Sequence, residues 1–236
     1  PDSPALDALC RLRPVRAVYS MPTLHNPLGW VLDADQREHL VAIARRHDLT
    51  IIEDAAYAFL AEDVPPPLAA MAPERTVYVS GLSKNVATGL RVGFVAAPAQ
   101  WIAGFERTIM ATTWNTPGVM TAIATAWLDD GTVSKLEAQK RADAQARQAL
   151  AREVLAGLRT ISHPSSYFVW LPLAEDARAD QIAMALIREQ GSVSPAQPFA
   201  ITPHVPHAIR LALGSVDMVA LRQALVKVKK VVDYYS

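Results

Sequence analysis

The residues of this chain best suited to chemistry are a lysine and an arginine in the stretch 77–94, VYVSGLSKNVATGLRVGF. Lys84 comes just after the turn at Ser80-Gly81, and Arg91 precedes a second apolar stretch. Because both charges are costly to desolvate, a position between two buried strands needs a reason. One reason is an amine nucleophile beside an arginine that binds an anion. The alternative is two solvated loop cations, and this stretch alone leaves both open.

Polar side chains also follow the ends of other predicted strands. Asp54 ends the apolar stretch 50–54, Tyr57 lies shortly after it, and Asn26 stands in a proline- and glycine-containing turn after the stretch 16–20. In an open α/β sheet, ligands bind at the carboxyl ends of the strands. We therefore expect one sheet edge to collect an amide, a carboxylate and a phenol with the amine and the guanidinium. Turn or cap roles for the aspartate and the asparagine are the alternatives.

Arg210 is a further candidate for anion binding. The run 208–213 alternates, so that Ile209, Leu211 and Leu213 face one side of a strand and the arginine faces the other between two alanines. Small neighbours leave room for a planar anion, which a guanidinium binds through two parallel hydrogen bonds. A structural salt bridge to a nearby acidic side chain is the alternative.

Composition and spacing argue against several other classes of protein. The chain has 236 residues with 23 basic and 23 acidic side chains, so its formal net charge is zero. A surface that binds nucleic acid needs a net basic charge, and the composition therefore argues against one on this chain. His204 and His207 are separated by Val205-Pro206, which predicts no metal site, and no Gly-x-Ser-x-Gly elbow of a serine hydrolase occurs. The single cysteine, Cys10, excludes an intrachain disulfide and favours a reducing, cytoplasmic location. No apolar run reaches the roughly 18 residues of a membrane span.

Alternating strands and helices must position the candidate residues. The predicted strands cover residues 16–20, 50–54, 76–79, 92–97, 167–171 and 208–213. In the first half they alternate with helices, one of which begins near Asp33, and this rhythm is typical of a parallel α/β sheet. Helices dominate from residue 99, and a long one over 133–158 suits a connector between lobes. We predict a large α/β lobe over residues 1–145 and a smaller α+β lobe over residues 146–236.

Taken together, these motifs resemble the fold type I aminotransferases, which use pyridoxal phosphate. The matching pieces are Asn26-Pro27-x-Gly29, Asp54-x-x-Tyr57, Ser83-Lys84, Arg91-x-Gly93 and Arg210. They occur in order across almost the whole chain, which makes the resemblance specific. The phrases IIEDAAYAFL and YVSGLSKNVATGLRVGF are most similar to the aminotransferase-like domain of MocR-type regulators, a branch of the GntR transcription factors.

The resemblance implies a fold and a set of catalytic roles. The fold is that of the pyridoxal-phosphate-dependent transferases, an aspartate-aminotransferase-like α/β fold that is incomplete at its N-terminus. Lys84 would hold the cofactor as a Schiff base and move protons at the substrate carbon. This role requires that burial and a nearby cation favour the uncharged form of its amine. Asp54 would pair with the protonated pyridine nitrogen, which keeps the ring an electron sink. Tyr57 would form a hydrogen bond with the ring oxygen of the cofactor.

Binding roles follow from the resemblance in the same way. Asn26 would contact the ring oxygen and the substrate, Ser83 would be among the cofactor-binding residues, and Arg91 would clamp the phosphate. Arg210 would bind the substrate carboxylate. One departure concerns the phosphate, because Gly81 stands where the family often has a serine or threonine, three residues before the lysine.

A second departure is the absence of the family's opening segment, which carries another phosphate loop and the ring that stacks on the cofactor. We therefore expect this chain alone to hold a partial cofactor site.

The motifs leave three functions open. The first is an enzyme that transfers an amino group between an amino acid and a 2-oxo acid. The second is a regulator whose site binds the cofactor with an amine or amino-acid effector, and whose DNA-binding domain lies outside this chain. The third is an interaction domain with a decayed site, which the joint presence of the matched residues disfavours. The resemblance also implies a homodimer.

Overall fold

A computed structural model describes residues 2–174, 178–189 and 191–235 as two compact units. The first unit runs to Thr23 and resumes over Val31–Gln139. The second consists of the short segment Leu24–Trp30 and the chain from Lys140 onward. The predicted lobe boundary at residues 145 and 146 lies further along the same long helix, and the prediction did not include the short segment in the second lobe.

The first unit is built from four strands and the helices between them. Its elements are α1 (Ser3–Leu12), β1 (Ala17–Ser20), α2 (Ala34–Arg46), β2 (Thr50–Asp54), α3 (Leu68–Met71), β3 (Thr76–Gly81), α4 (Leu82–Asn85), β4 (Gly93–Ala96), α5 (Ala99–Thr112), α6 (Gly118–Asp129) and the start of α7 (Thr132–Val154), with 3-10 turns at Ala58–Leu60 and Thr88–Leu90.

The sheet of the first unit has the order β1-β2-β3-β4. Strands β1, β2 and β3 are parallel, as the sequence predicts, but β4 runs antiparallel to β3. A parallel crossover needs a dozen or more residues, usually in a helix long enough to span the sheet. The connection over residues 82–92 contains only two short helical turns, so the chain reverses. Strand β4 was also expected to be buried, yet its four residues are exposed at the edge of the sheet.

Helix α2 begins and packs as its sequence predicts. The side chain of Asp33 accepts a hydrogen bond of 2.8 Å from the backbone of Gln36, whose side chain accepts one from Asp33 N in return. This reciprocal capping satisfies two donors that the first helical turn leaves open. Leu40, Ile43 and Ala44, which repeat at helical spacing, are buried. The predicted helix start at Asp33 is confirmed.

The second unit packs helices on a small antiparallel sheet. Its elements are the rest of α7, β5 (Phe168–Pro172), α8 (Ala179–Arg188), β6 (Ser194–Pro195), a 3-10 turn at Gln197–Phe199, β7 (Ala208–Ala212) and α9 (Met218–Tyr235), and the strand order is β5-β7-β6. Ile209, Leu211 and Leu213 are buried in one apolar cluster with residues of α7, α8 and α9. Arg210 lies on the other face opposite Trp170, so the predicted alternation is confirmed.

In the part of the chain that the structure describes, none of the helices combines the length and the hydrophobicity that a membrane span requires.

Candidate functional site

The carboxylate of Asp54 is held at the end of β2 by two donors. Oδ2 accepts a hydrogen bond of 2.6 Å from the phenol of Tyr19 on β1, and Oδ1 accepts one of 2.9 Å from the backbone N–H of Ala56. Burial and this bond to Asp54 raise the pKa of Tyr19, so the phenol stays a donor at neutral pH. An ionised carboxylate has about four acceptor positions, so Asp54 retains capacity for a ligand. The backbone bond is an Asx turn, which agrees with the turn role given above as the alternative for Asp54, and it leaves that capacity intact.

Lys84 lies near the end of β2, the strand that carries Asp54, because β2 and β3 are parallel neighbours in the sheet. Asp54 is level with Val79, and the backbone N–H of Ala55 donates a hydrogen bond of 2.9 Å to Val79 O. Lys84 follows the end of β3 in α4, with its Nζ 5.9 Å from the centroid of the Tyr57 ring. At this distance an ammonium is attracted to the face of an aromatic ring. The structure thus brings the carboxylate, the phenol and the amine to the same edge of the sheet.

Apolar side chains anchor the segment that carries Lys84 and Arg91. Leu82, Leu90 and Val92 are buried in a cluster with residues of α6 and α7. With its apolar residues fixed inward, the segment presents Lys84 and Arg91 to solvent. From the sequence, we expected the Lys84 amine to be buried. This expectation is wrong for the described chain, because Leu82 and Asn85 occupy the buried face of the short helix.

The candidates for phosphate binding lie in the same segment. Arg91 has a left-handed backbone conformation with φ 51°, which residues other than glycine rarely adopt. Ser83 is half-buried in α4. At Gly81, an added Cβ would lie 2.9 Å from the carbonyl oxygen of Val92, because the two strands approach closely there. This close approach leaves no room for the side chain of a serine or threonine at that position.

In the second unit, Arg210 and Asn26 form a hydrogen-bonded pair. Arg210 Nη1 donates to Oδ1 of Asn26 over 3.0 Å, and Nη2 donates to Oγ of Ser194 over 3.2 Å. The guanidinium carbon lies 5.1 Å from the ring centroid of Phe168 and 4.9 Å from that of Phe199. Arginine stacks well on aromatic faces, so two rings and two polar partners fix this guanidinium. Asn26 therefore folds with the second unit, while Asp54 and Lys84 belong to the first.

A tight turn places Asn26. His25 stacks on Trp30 with centroids 4.4 Å apart, and the backbone N–H of His25 donates to Trp30 O over 3.0 Å. Gly29 has φ +68°, and a Cβ there would lie 3.1 Å from the backbone nitrogen of His163. Glycine satisfies both the positive φ and the close approach. The sequence predicted this turn from its prolines and glycine.

Four side-chain partners of the candidate residues were not predicted from the sequence, namely Tyr19, Phe168, Ser194 and Phe199. Each is separated from the residue it contacts by a long stretch of sequence or lies on a different strand. Tyr19 carried a weak signal, since an aromatic residue near the end of one parallel strand is well placed to reach the end of the next. The other three followed no pattern.

In the first unit, the residues near the ends of β2 and β3 supply an amine, a fixed carboxylate and an arginine, a set suited to a ligand with a carbonyl carbon, a basic nitrogen and an anionic group. In the described ranges no three His, Cys, Asp or Glu side chains are grouped to hold a metal ion.

Comparison with known proteins gives a consistent result. A family model described as aminotransferase class I and II matches residues 5–228. The uncharacterized HTH-type transcriptional regulator YdcR of Escherichia coli is 30% identical over 84% of this chain and 44% of its own. The 2-aminoadipate transaminase of Thermus thermophilus is 25% identical over 92% of this chain and 57% of its own.

Among solved structures, a Pyrococcus horikoshii kynurenine aminotransferase in complex with PMP superposes with a TM-score of 0.92 at 21% identity. The match covers 99% of this chain and 61% of that one. The predicted fold is therefore confirmed. The chain spans about half the length of the curated relatives it matches.

Proposed function

The chain belongs to the class I and II aminotransferase family, as predicted, and from this premise we propose that it is a pyridoxal-phosphate-dependent domain acting on amino acids. In this proposal an amino group is transferred between an amino acid and a 2-oxo acid, with Lys84 as the covalent attachment point of the cofactor. The observation that carries the proposal is the sheet edge at the ends of β2 and β3. There the carboxylate of Asp54, the ring of Tyr57 and the amine of Lys84 are presented together.

The donor set fits pyridoxal phosphate group by group. A primary amine at Lys84 suits the aldehyde, and the carboxylate of Asp54 suits the protonated pyridine nitrogen. Tyr57 would contact the ring oxygen. Arg91 and Ser83 would hold the phosphate, for which a guanidinium is the preferred charged partner. When bound, the cofactor supplies an electron sink for the electrons released when the substrate Cα–H bond breaks.

The protein's own residues would then orient the substrate and move its proton. We assign to Lys84 Nζ the transfer of a proton from and to the substrate Cα. The donors on Asp54, from Tyr19 and the backbone of Ala56, hold its carboxylate in one orientation. A charge-assisted hydrogen bond from the cofactor's ring nitrogen to this carboxylate would stabilise the charged ring by about 1.5–3 kcal/mol.

Arg210 and Asn26 would bind the substrate carboxylate. The two phenylalanine rings restrict the guanidinium to one position. Its hydrogen bonds to Asn26 and Ser194 further orient it. A preoriented guanidinium loses little freedom when it binds a planar anion, which favours amino acids and 2-oxo acids over amines without a carboxylate.

A second candidate function is effector sensing in a transcriptional regulator. The specific observation in its favour is the similarity to HTH-type regulators, of which YdcR is 30% identical. In this variant the same site binds the cofactor with an amine or amino acid, and a DNA-binding domain outside this chain responds. We further propose a homodimer in the cytoplasm for either function, and sedimentation velocity tests the dimer.

Titration with pyridoxal phosphate tests the proposal. We expect an absorbance band from a covalent bond to the ε-amino group, and borohydride reduction followed by peptide mapping should place the label on Lys84. The control is Lys135→Ala, which removes an exposed lysine at the start of α7. Lys84→Ala should abolish the band and Lys135→Ala should keep it. A band that persists without Lys84 would exclude the assignment.

Amino acids then separate the two functions. Release of a 2-oxo acid with multiple turnovers supports the enzyme. A spectral change without turnover supports the sensor.

A further inference from the structure

Arg37 on α2 is a fully buried arginine, with 0% of its surface exposed. Its guanidinium donates four hydrogen bonds. Nε donates to Leu32 O over 3.0 Å, Nη1 to Pro66 O over 3.0 Å, and Nη2 to Pro22 O over 3.1 Å and to Oγ1 of Thr23 over 2.8 Å. A buried charge is costly unless its donors are satisfied, so these bonds account for its presence in the interior. Nothing in the sequence analysis singled out this residue.

Three of the four acceptors lie at the base of one hairpin, which comprises residues 22–32. The backbone N–H of Leu32 donates to Pro22 O over 2.8 Å, and Thr23 forms an antiparallel bridge with Val31. This base belongs to the first unit. The chain leaves the first unit after Thr23 and re-enters it at Val31. Arg37 therefore bonds the outgoing and the returning strand of the hairpin at the same time.

The tip of this hairpin carries Asn26. The tip is the segment Leu24–Trp30, which folds with the second unit, where Asn26 accepts the hydrogen bond from Arg210. Only two residues separate Asn26 from Thr23, so a short stretch of chain joins the tip to the base.

We propose that Arg37 is a positioning residue that sets the orientation of the Asn26 side chain toward Arg210. This role rests on the proposed function only insofar as the Asn26–Arg210 pair binds the substrate carboxylate. The bonding of the hairpin base by Arg37 does not depend on any ligand.

The geometry requires arginine at this position. Its planar fork reaches acceptors on three sides, at Leu32, Pro66 and Pro22, from one rigid group. An ammonium is a single point with three donors, so lysine cannot reach all of these oxygens at once. The same helix offers a matched control. Arg45 is half-exposed, and its guanidinium donates to Glu74 and to the carbonyl oxygen of Met71, both outside the hairpin.

The first experiment uses the protein without cofactor. Side-chain NMR signals of the Asn26 amide and the Arg210 Nε are compared in Arg37→Lys, Arg45→Lys and Thr23→Val. We expect both signals to shift in Arg37→Lys and, to a smaller extent, in Thr23→Val, which loses one acceptor of the guanidinium. Arg45→Lys should leave them unchanged. If Arg37→Lys does not fold, Thr23→Val decides the question. Unchanged signals in the folded hairpin variants would overturn the proposal.

The second experiment is a double-mutant cycle on amino-acid affinity with pyridoxal phosphate bound. Arg37→Lys should weaken the affinity about tenfold in the wild-type background and under threefold in the Asn26→Ala background, because the two residues act through one contact. A purely structural role would lower the affinity equally in both backgrounds, and that result contradicts the proposal. If the wild-type protein binds no amino acid, the proposed function fails while the NMR comparison still decides the role of Arg37.

Discussion

The phenol of Tyr19 donates a hydrogen bond of 2.6 Å to the carboxylate of Asp54, and so links the ends of two neighbouring parallel strands. Both residues belong to the first unit, so this contact is part of one compact body. It orients the carboxylate before any ligand arrives. Four predictions concern the sheet edge around this contact and the arginine of the second unit.

The first prediction concerns the pH dependence of the Tyr19–Asp54 bond. Burial and the bond raise the pKa of Tyr19 above the usual value of 10 in the folded protein. The contribution of the Tyr19–Asp54 bond to the free energy of unfolding is therefore complete below pH 10. It declines as the pH rises above 10, because the phenol of Tyr19 loses its proton in the unfolded chain before it does so in the folded protein. We expect Tyr19→Phe to lower the free energy of unfolding by up to about 1 kcal/mol at pH 8, because the side chain is 60% exposed and water weakens the bond.

Urea denaturation at pH 8, 9, 10 and 11 measures this difference. Asp54→Asn serves as the control, since it removes the charge and retains an acceptor. A difference between wild type and Tyr19→Phe that grows above pH 10 would contradict the prediction.

The second prediction concerns the glycine that replaces the family's serine or threonine. Gly81→Ser places a Cβ 2.9 Å from Val92 O, so the two strands must separate. We expect a loss of about 1–3 kcal/mol in the free energy of unfolding, as for other overpacked sites, and no gain in affinity for pyridoxal phosphate. Gly89→Ser is the matched control, because a Cβ there meets no atom within 4 Å. Denaturant unfolding compares the two, and equal stability would show that the strand contact is unimportant.

The third prediction separates the side chain of Arg91 from its backbone. Arg91→Gly and Arg91→Ala both remove the guanidinium, but only glycine tolerates φ 51° without strain. We expect Arg91→Gly to be more stable than Arg91→Ala by about 1 kcal/mol. Both variants should lose affinity for pyridoxal phosphate about tenfold, in line with one charge-assisted hydrogen bond. Thermal unfolding and cofactor titration provide the two readouts, and an unchanged affinity would remove Arg91 from the phosphate site.

The fourth prediction tests the orientation of Arg210. Arg210→Lys keeps the charge but loses the two-sided aromatic contact and the paired donors to Asn26 and Ser194. We expect amino-acid affinity to fall about tenfold or more. Arg222→Lys is the control, since this arginine is exposed and pairs with Glu153. Isothermal titration with the cofactor-bound protein compares them. If Arg210→Lys binds amino acids as tightly as Arg222→Lys does, a simple charge suffices at this site.

Local features of this protein follow from its sequence. The strand Thr50–Asp54, the capped start of α2 at Asp33 and the alternation around Arg210 all result from neighbouring residues, because capping and the periodicity of apolar side chains act within a few positions. The residues proposed for the site could be named for the same reason, since they stand at strand ends or in turns that short motifs mark. The family was predicted from the order of these motifs.

Tertiary structure decided the direction of β4, the second-unit placement of Asn26, and the contacts of Tyr19 and Arg37. Each of these depends on which distant segments pack together and how many residues connect them. The sequence does not distinguish a buried arginine such as Arg37 from an exposed polar residue on a helix. Three of its acceptors are backbone carbonyl oxygens, which every type of residue carries. Sequence alone thus determined the local conformations and the candidate chemistry, while packing between distant segments determined which groups meet.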